Sequence, residues 1–259
     1  MRKIIIGKRG FISRELLNYF SSDRNIEFIS PNETLKIPKK YSGELILTSF
    51  PRKWFKTDEY DCSVEISICN RIDKDLAKIT YLSTSKVYAD GVNIGENDHV
   101  SPQSIYAKNK LVAESFLTAN VKKVRILRAT NIFSSNGGAD NSFFSQIRKN
   151  YMTDNIFKFD VSYDSLRDFL PVEYLANFLI DMEFKSGIFN FSSGKGISII
   201  EIVNTLMSSN NISSNRVKVE FGKKKKSQIL SNNRLLKAYN MSSISKEEIL
   251  NEVKRIKLK

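Results

Sequence analysis

Short apolar segments alternate with longer segments of helical periodicity along this chain. The first apolar segment, Lys3 to Ile6, is followed by a turn with two glycines, after which apolar residues recur at helical spacing from Phe11 to Phe20. Further strands are predicted at 27–30, 44–48, 79–83, 124–127 and 188–191, and further helices near 64–76, 105–119, 172–184 and 199–207. Strands separated by helix-length segments predict an α/β fold, with a parallel sheet that carries helices on both faces.

The pattern becomes less regular after Leu127, where a polar loop with two glycines follows. A chain of 259 residues suits one or two domains and is long enough to bury a core. We therefore predict a Rossmann-like, doubly wound domain at residues 1–133, to which residues 166–192 return. A small carboxyl-terminal substrate lobe is predicted from residues 134–165 and 193–259.

The net charge of +13 follows from 41 Lys and Arg against 28 Asp and Glu. A field of this sign concentrates anions, whether nucleic acid, acidic lipid or a phosphorylated small molecule. The sharpest local feature is the run Lys223 to Lys226, for which a solvated loop is the plain alternative.

The single histidine, His99, and the two cysteines, Cys62 and Cys69, do not make a usual zinc ligand set, so no metal is expected. Seven residues apart on one predicted helix, these cysteines are also too distant for a disulfide.

Nothing in the sequence predicts a membrane segment. No apolar run approaches the roughly 18 residues of a membrane span. Only the short segment Ile4 to Ile6 precedes Gly7 and the basic pair Lys8 and Arg9, which is not the pattern of a secretory signal. A cytoplasmic protein without membrane attachment is expected.

The first turn lies where a predicted strand passes into a predicted helix. Backbone N–H groups at such a helix start can hold the pyrophosphate of a dinucleotide, although a purely structural turn is the alternative for so short a motif. The small Ser13 occupies the position that often needs glycine for close helix packing. We assign cofactor binding to Gly7, Lys8, Arg9, Gly10, Phe11 and Ile12 in this turn, and to Ser30 and Thr48 at the ends of the next strands.

A tyrosine and a lysine stand one helical turn apart in the segment after Ser101 and Pro102, which predicts a helix start. An ammonium of Lys110, together with a nicotinamide cation or ribose hydroxyls, could lower the pKa of the Tyr106 phenol from about 10 and let it exchange protons near neutral pH. This spacing alone is common in helices. Upstream, however, the strand that ends at Thr84 places hydroxyls at the carboxyl edge of the sheet, where open α/β sheets bind ligands.

Six ordered motifs make this sequence similar to the extended short-chain dehydrogenase/reductase family, which comprises nucleotide-sugar epimerases, dehydratases and reductases. They are GxxGFI at 7–12, S-[ST]-x-x-V-Y at 83–88, YxxxK at 106–110, R-x-x-N at 128–131, R-D-F-x-x-V at 167–172 and F-N-x-x-S-G at 189–194. The motifs span most of the chain. The resemblance implies a Rossmann-like fold, an NAD or NADP cofactor, a nucleotide-diphosphate sugar as ligand and a possible homodimer.

The resemblance also implies roles for individual residues. Tyr106 would be the catalytic acid or base, Lys110 would be its pKa partner and a ribose contact, and both would bind the cofactor. Thr84 would be the catalytic hydroxyl that hydrogen-bonds the reacting sugar oxygen.

Substrate contacts are implied at four further positions. Asn131 and Arg167 would face the nucleotide diphosphate, and a guanidinium fork suits phosphate oxygens. An ion pair of Arg167 with Asp168 or another carboxylate is the alternative. Ser85 and Lys86 follow the catalytic hydroxyl and are assigned to the substrate. Family dehydratases carry an acidic pair at these two positions, so the sequence disfavours a 4,6-dehydratase.

Cofactor choice depends on the end of the second strand, where an acidic residue would bind the adenosine ribose of NAD. The segment Ser30-Pro31-Asn32 offers none, and Lys8 and Arg9 are available for a 2′-phosphate. The sequence therefore favours NADP, with NAD possible.

Three functions remain open from the sequence. The first is NAD(P)H-dependent reduction of a nucleotide-linked 4-keto-6-deoxy sugar for surface polysaccharide biosynthesis, with no nucleic acid as partner. The second is a nucleotide-sugar 4-epimerase with tightly bound NAD. The third, of another class, is a non-catalytic nucleotide-sensing or RNA-binding module that uses the lysine run.

Overall fold

A computed structural model of the chain describes residues 2–21, 23–48, 63–139 and 142–258. Cys62 lies outside these described residues. The chain divides into two units, and unit 1 comprises Met1–Ala89, Glu96–Ala129 and Leu179–Phe191. Unit 2 comprises Asp90–Gly95, Thr130–Phe178 and Ser192–Lys259. The prediction assigned residues 90–95, 130–133, 166–178 and 192 to the first domain, whereas the structure groups them with unit 2.

The helices and strands are numbered in chain order. The strands are β1 (Lys3–Ile6), β2 (Ile26–Ile29), β3 (Glu44–Leu47), β4 (Lys78–Thr84), β5 (Gly91–Ile94), β6 (Val124–Ala129), β7 (Asn131–Phe133), β8 (Ile156–Lys158), β9 (Leu166–Arg167), β10 (Phe169–Pro171), β11 (Gly187–Phe191), β12 (Ile197–Ser198), β13 (Lys218–Glu220) and β14 (Gln228–Leu230). The helices are α1 (Phe11–Phe20), α2 (Ser63–Cys69), α3 (Ile105–Asn120), α4 (Phe143–Asp154), α5 (Val172–Asp181), α6 (Ile199–Ser209), α7 (Asn233–Tyr239) and α8 (Lys246–Lys254).

A parallel sheet of six strands forms the centre of unit 1, in the order β11-β6-β4-β3-β1-β2. The chain builds outwards from β1 to β2, then returns to the other side of β1 and continues through β3 and β4. This reversal is the switch point of a doubly wound sheet, beside which such folds bind ligands at the carboxyl ends of the strands. β1, β3 and β6 are buried at every position, as in a parallel sheet that is covered on both faces. The predicted Rossmann-like α/β fold is confirmed.

Aliphatic side chains from the strands and from α2 and α3 form the core of unit 1. A buried ion pair lies in the same sheet, towards the amino ends of its strands. Arg125 donates to Glu44 over 2.6 Å and to the Thr80 hydroxyl over 2.9 Å, and Thr80 itself donates to Glu44 over 2.5 Å. Arg125 and Glu44 are at most 1% exposed, so each needs the other as a counter-charge.

Unit 2 is built from short strands around an aromatic core. Its strands form a four-stranded sheet, β12-β9-β14-β5, and two pairs, β10-β7 and β13-β8. The rings of Phe133, Phe144 and Phe169 contact one another with centroids 4.8 to 6.3 Å apart. Each such buried ring contributes about 1.5–3 kcal/mol through removal of its surface from water. This core holds β7 and β10 together and thereby positions two of the sequence motifs.

Two predicted helices are longer than the observed ones. The predicted helix at 64–76 ends at Cys69, because Asp73 accepts hydrogen bonds from the N–H groups of Asp75 and Leu76 and forms a separate turn. The predicted helix at 172–184 ends at Asp181. Of the helices that the structure describes, none is long and apolar enough to span a bilayer.

Candidate active site

The predicted glycine turn connects β1 to α1 in unit 1. The N–H groups of Gly7 and Lys8 both donate to the carbonyl oxygen of Ile29, over 2.9 and 3.1 Å. Gly7 has a φ of +129°, which side chains rarely adopt. A Cβ on Gly10 would lie 3.3 Å from the carbonyl oxygen of Gly7, closer than most such contacts. Glycine is therefore favoured at position 7 by the backbone conformation and at position 10 by the limited space.

The start of α1 fits an anionic ligand. Its first turn contains no acidic residue, and no side chain among the described residues caps it. The side chains of Lys8 and Arg9 beside it are exposed. Helix N–H groups and basic side chains at one place suit a dinucleotide pyrophosphate. Because Gly10 has no side chain, the backbone there is open to such a ligand. Cofactor binding by residues 7–12 stays a prediction that this geometry supports.

Ser13 and Thr48 meet in the interior of unit 1. Ser13 is 1% exposed, and its hydroxyl lies 2.7 Å from the hydroxyl of Thr48. Thr48 also donates to the carbonyl oxygen of Ile6 through its hydroxyl (3.0 Å) and its N–H (3.1 Å). Ser13 thus replaces the usual glycine with a small side chain whose polar atom has a partner. Because the N–H and hydroxyl of Thr48 are used inside the fold, a cofactor contact of this residue stays a prediction.

An acidic residue that the sequence interpretation missed follows β2. A 3₁₀ helix spans Pro31–Lys36, and the N–H of Ser30 donates to the carboxylate of Glu33 over 2.8 Å. Glu33 also forms an ion pair with Lys36. The bonds from Lys36 and Ser30 lower the pKa of Glu33 to about 2. The signal was the serine with a glutamate three positions later, which is typical of a capped helix start.

Thr84 and Tyr106 come together at the carboxyl end of β4. Ser104 caps α3 by accepting a hydrogen bond from the N–H of Ala107 over 3.2 Å, which places Tyr106 in the first turn. Burial raises the pKa of Tyr106 above its ordinary value, and a side-chain hydrogen bond with Thr84 opposes this rise. The Thr84 oxygen in turn accepts from the N–H of Lys86 over 3.3 Å.

Lys110 is buried one turn after Tyr106. Its side chain is 1% exposed, and its Nζ donates to the carbonyl oxygen of Leu82 over 2.7 Å and lies 4.5 Å from the ring centre of Tyr81. Burial lowers the pKa of Lys110 to about 7, against the negative charges of Glu65 and Glu114, which raise it. The expected lowering of the Tyr106 pKa by Lys110 together with a nicotinamide cation or ribose hydroxyls stays a prediction for that complex, because in the chain alone burial raises this pKa.

Glu114, another turn along α3, is a functional candidate that the sequence interpretation missed. Its carboxylate accepts from the guanidinium of Arg128 over 2.8 and 3.2 Å and from the hydroxyl of Ser83. Arg128 also donates to the Tyr88 hydroxyl (2.8 Å), which donates to Asn190 (3.0 Å). These buried contacts explain why residues from three of the ordered motifs occur together. The available signal was the spacing of Glu114, four residues after Lys110.

Ser85 and Lys86 begin a 3₁₀ helix, Ser85–Val87, directly after β4. Ser85 is buried and Lys86 is exposed. Their assignment to the substrate stays a prediction.

In unit 2, the remaining motifs contact one another through a buried carboxylate. The side-chain amide of Asn131 donates to the backbone oxygen of Asp168 over 2.8 Å. The carboxylate of Asp168 accepts from the N–H and hydroxyl of Ser193 (3.0 and 2.6 Å) and from the N–H of Gly194 (3.1 Å). Burial raises the pKa of Asp168 to about 7, although these bonds lower it. Asn131 thus has a structural contact, and its predicted contact with a diphosphate is not tested by it.

Arg167 does not use Asp168 as its partner, because that carboxylate is directed at Ser193 and Gly194. It donates instead to the carbonyl oxygen of Lys226 over 2.6 Å. Burial lowers the pKa of Arg167, and the charges of Asp90 and Asp160 raise it. Arg167 also lines a cavity of about 370 Å³ in unit 2, together with Lys158, Asn150 and Gln146. The lining also contains Asp160 and apolar side chains such as Phe143 and Phe159, so its charge is mixed.

The lysine run is attached to the segment before Arg167 in the same unit. The carbonyl oxygen of Lys224 accepts from the N–H of Ser162 over 3.0 Å, and the N–H of Lys226 donates to Ser165 over 3.1 Å. Lys225 forms an ion pair with Asp164 over 2.6 Å. The run is therefore an ordered connection beside Arg167 rather than a separate tail.

Comparison with known proteins places these residues in a family context. The chain matches the NAD dependent epimerase/dehydratase family over residues 54–183, about half of its length. It is 28% identical over 173 residues to an ADP-L-glycero-D-manno-heptose-6-epimerase of Brachyspira hyodysenteriae. This match covers 60% of the chain and 52% of the relative, so the chain spans about half the length of that curated relative.

Solved structures resemble the chain over almost its whole length. MoeE5 in complex with UDP-glucuronic acid and NAD has a TM-score of 0.80 at 16% identity, and the match covers 99% of this chain and 97% of MoeE5. A dTDP-4-dehydrorhamnose reductase of Clostridium acetobutylicum has a TM-score of 0.75 at 22% identity, with 98% of both chains covered. At these identities the likeness is one of fold.

Proposed function

This chain belongs to the NAD dependent epimerase/dehydratase family, and from that membership we propose that it is a reductase of nucleotide-linked 4-keto-6-deoxy sugars. NADPH is the proposed cofactor and Tyr106 the proposed proton donor. The alcohol that this reaction makes would serve surface polysaccharide biosynthesis. The membership also bears out the resemblance to extended short-chain dehydrogenases/reductases that the motifs indicated.

One observation carries the proposal: the hydrogen bond between Thr84 and Tyr106 at the end of β4, followed by Ser85 and Lys86. The bond aligns a phenol at the edge of the sheet where this fold binds ligands. Water elimination needs an acid and a base beside the sugar, and a serine and a lysine replace them here. A single proton transfer by Tyr106 is the chemistry that these side chains support best.

Two hydrogen bonds at Thr84 support the proposed role of Tyr106. Thr84 accepts from the N–H of Lys86 over 3.3 Å and shares a hydrogen bond with the phenol of Tyr106. In the proposed reaction the phenol gives its proton to the substrate oxygen, and the Thr84 hydroxyl, by donating to the phenol oxygen, stabilises the phenolate that remains after transfer. When bound, the cofactor supplies the hydride to the keto carbon. Lys110, held at Leu82, supplies positive charge on the same helix face in its protonated form.

NADPH is favoured over NADH by the charges around the glycine turn. Lys8 and Arg9 are exposed there, and the carboxylate of Glu33 is engaged by Lys36 and Ser30. A 2′-phosphate would thus meet positive charge without an uncompensated carboxylate. We expect a lower Michaelis constant for NADPH than for NADH, and Lys8→Gln with Arg9→Gln should remove the difference. A constant for NADH that equals or lies below that for NADPH contradicts this assignment.

Arg167 is the proposed contact for the nucleotide diphosphate of the substrate. One of its nitrogens is fixed on the carbonyl oxygen of Lys226, which holds the guanidinium in place at the cavity. A guanidinium oriented in this way can offer its other N–H groups to phosphate oxygens. The same assignment gives Asn131 a part in orienting the segment that carries Arg167.

The runner-up function is a nucleotide-sugar epimerase, which the heptose-6-epimerase relative favours. The two functions differ in how they use the cofactor. A reductase consumes added NADPH in proportion to product, whereas an epimerase retains NAD and needs no reductant. The test is to denature the purified protein, measure the released nucleotide, and follow turnover with and without NADPH. Released NAD in equal amount to protein, with turnover in the absence of reductant, would replace the reductase by the epimerase.

A further inference from the structure

The last part of β4 is connected to one face of α3 by three successive contacts. The contacts are Leu82 O with Lys110 Nζ (2.7 Å), Ser83 with Glu114, and Thr84 with Tyr106. The three helix residues are spaced four apart, so they form one row along the helix. The three strand residues are consecutive and all buried. Helix α3 is therefore fixed to the strand end over two full turns.

Glu114 makes the strongest of these attachments. Besides Ser83 of β4, it binds the guanidinium of Arg128 on β6 through two nitrogens, over 2.8 and 3.2 Å. Glu114 is 3% exposed and Arg128 is 4% exposed. Charge-assisted, two-point bonds in a buried site resist both rotation and translation. The carboxylate thus fixes α3 to two neighbouring strands at once.

From this arrangement we propose that Glu114 is a positioning residue, which holds α3 so that the Tyr106 hydroxyl stays aligned with Thr84. Tyr106 lies eight residues before Glu114, roughly 12 Å along the helix axis. A helix released at Glu114 can turn or slide, and the phenol then moves relative to the strand end. The inference rests on the proposed function, since the alignment matters for proton donation to the substrate.

The same sheet contains a matched control for the loss of a buried ion pair. Glu44 accepts from Arg125 (2.6 Å) and from Thr80 (2.5 Å), as Glu114 accepts from Arg128 and Ser83. Each set combines a carboxylate, an arginine of β6 and a hydroxyl of β4, and each is buried. The Glu44 set lies at the amino end of β4, and the partners of the Glu44 carboxylate, namely Arg125, Thr80 and Lys3, all belong to strands. Glu44→Gln therefore measures the loss of stability without the loss of alignment.

The experiment compares Glu114→Gln with Glu44→Gln in full-length protein, using the 4-keto sugar and NADPH. We expect both variants to unfold at lower temperature. Only Glu114→Gln should show a lower kcat, by about 10- to 100-fold, the size that small misplacements of catalytic groups cause, with KM nearly unchanged. Equal kcat values in the two variants, whether both high or both low, overturn the proposal. A rise in KM alone also overturns it.

A milder variant covers the case in which Glu114→Gln does not fold. Ser83→Ala leaves the pair of Glu114 and Arg128 in place and removes only the contact to β4. It should lower kcat several-fold, and Thr80→Ala, its counterpart in the other set, should not. Wild-type kcat in Ser83→Ala, when Glu114→Gln cannot be purified, counts against the proposal.

A second readout separates this inference from the proposed function. If the wild-type protein turns over none of the sugars, the proposed function fails. Amide hydrogen exchange of α3 then decides whether Glu114 holds this helix in place. Glu114→Gln should accelerate exchange in residues 106–110 relative to Glu44→Gln. Unchanged exchange in both variants shows that α3 is held by other contacts and overturns the inference.

Discussion

At the scale of single residues, the site depends on charges that burial alone would disfavour. Lys110 is almost fully buried, yet it lies on the one helix face that carries Tyr106. Two carboxylates, Glu65 from α2 and Glu114 from α3, oppose the loss of its proton. The cost of this burial should appear in the stability of the protein, because the charged lysine is better solvated in the unfolded chain.

The pH dependence of stability tests this cost. The pKa of Lys110 is about 7 in the folded chain, below its ordinary value of about 10.4. Below pH 7 the Lys110 side chain is charged in both the folded and the unfolded chain, so the folded state carries the full desolvation penalty. Above pH 7 the folded chain has released this proton, and the penalty becomes smaller. The free energy of unfolding of the wild type, relative to Lys110→Met, should therefore rise between pH 7 and 10, by up to roughly 1.4 kcal/mol per pH unit.

Urea unfolding at pH 7.5 and 9.5 measures this difference. Lys108→Met, which replaces an exposed lysine of the same helix, should give a difference from wild type that does not change with pH. A pH-independent difference for Lys110→Met as well would contradict the assignment of a penalised buried charge.

At the scale of elements, periodicity predicted the parts of the fold that repeat. The strands β1, β3, β4, β6 and β11 of unit 1 lie within one or two residues of their predicted bounds, because each contains a short cluster of apolar residues between polar turns. The short strands of unit 2 were not predicted. With two to four residues each, they depend on contacts between distant segments, which local patterns do not encode.

The residues of the candidate site likewise divide into those that the sequence predicted and those that it did not. Tyr106, Lys110 and Thr84 were found because they belong to linear motifs, and the structure brings them together in unit 1. Glu114 and Glu33 were missed, since each acts through partners far away in sequence or through a capping bond. Asp168 was considered only as a partner for Arg167, whereas its carboxylate binds Ser193 and Gly194.

The contact of Asp168 with the 192–194 turn predicts a large effect from a small change. Asp168→Asn places an amide N–H₂ group opposite the N–H and O–H groups that donate to the carboxylate in the wild type. At least one buried N–H then lacks an acceptor. The free energy of unfolding should fall by about 1–3 kcal/mol. Asp164→Asn, a half-buried position whose carboxylate pairs with the exposed Lys225, should stay within about 0.5 kcal/mol of wild type. Chemical unfolding at pH 8 compares the two, and equal losses would contradict the role of Asp168.

At the scale of the whole molecule, the charge of +13 suits a protein whose two proposed ligands are both anionic. The attachment of Lys223–Lys226 beside Arg167 gives this charge a location in unit 2. For the RNA-binding alternative the same lysines would be the phosphate contacts. The two interpretations differ in what salt should change.

Added salt should lower kcat/KM, which includes substrate binding, more than it lowers kcat. Raising the ionic strength from about 50 to 200 mM shortens the range of the field, so kcat/KM for the nucleotide sugar should fall while kcat stays nearly constant. Lys223→Gln with Lys224→Gln should reduce this salt dependence. RNA binding that falls steeply with salt, together with a salt-independent kcat/KM, would favour the RNA-binding module.

The central claim is that Tyr106 donates the proton in an NADPH-dependent reduction. Its most direct test is NADPH oxidation, followed at the nicotinamide absorbance, for wild type and Tyr106→Phe with a panel of nucleotide-linked 4-keto-6-deoxy sugars. We expect wild type to consume NADPH with at least one sugar, and the phenylalanine variant, equally folded, to be slower by about 10²- to 10⁴-fold. Consumption that survives the substitution, or none by the folded wild type with any sugar of the panel, would contradict the claim.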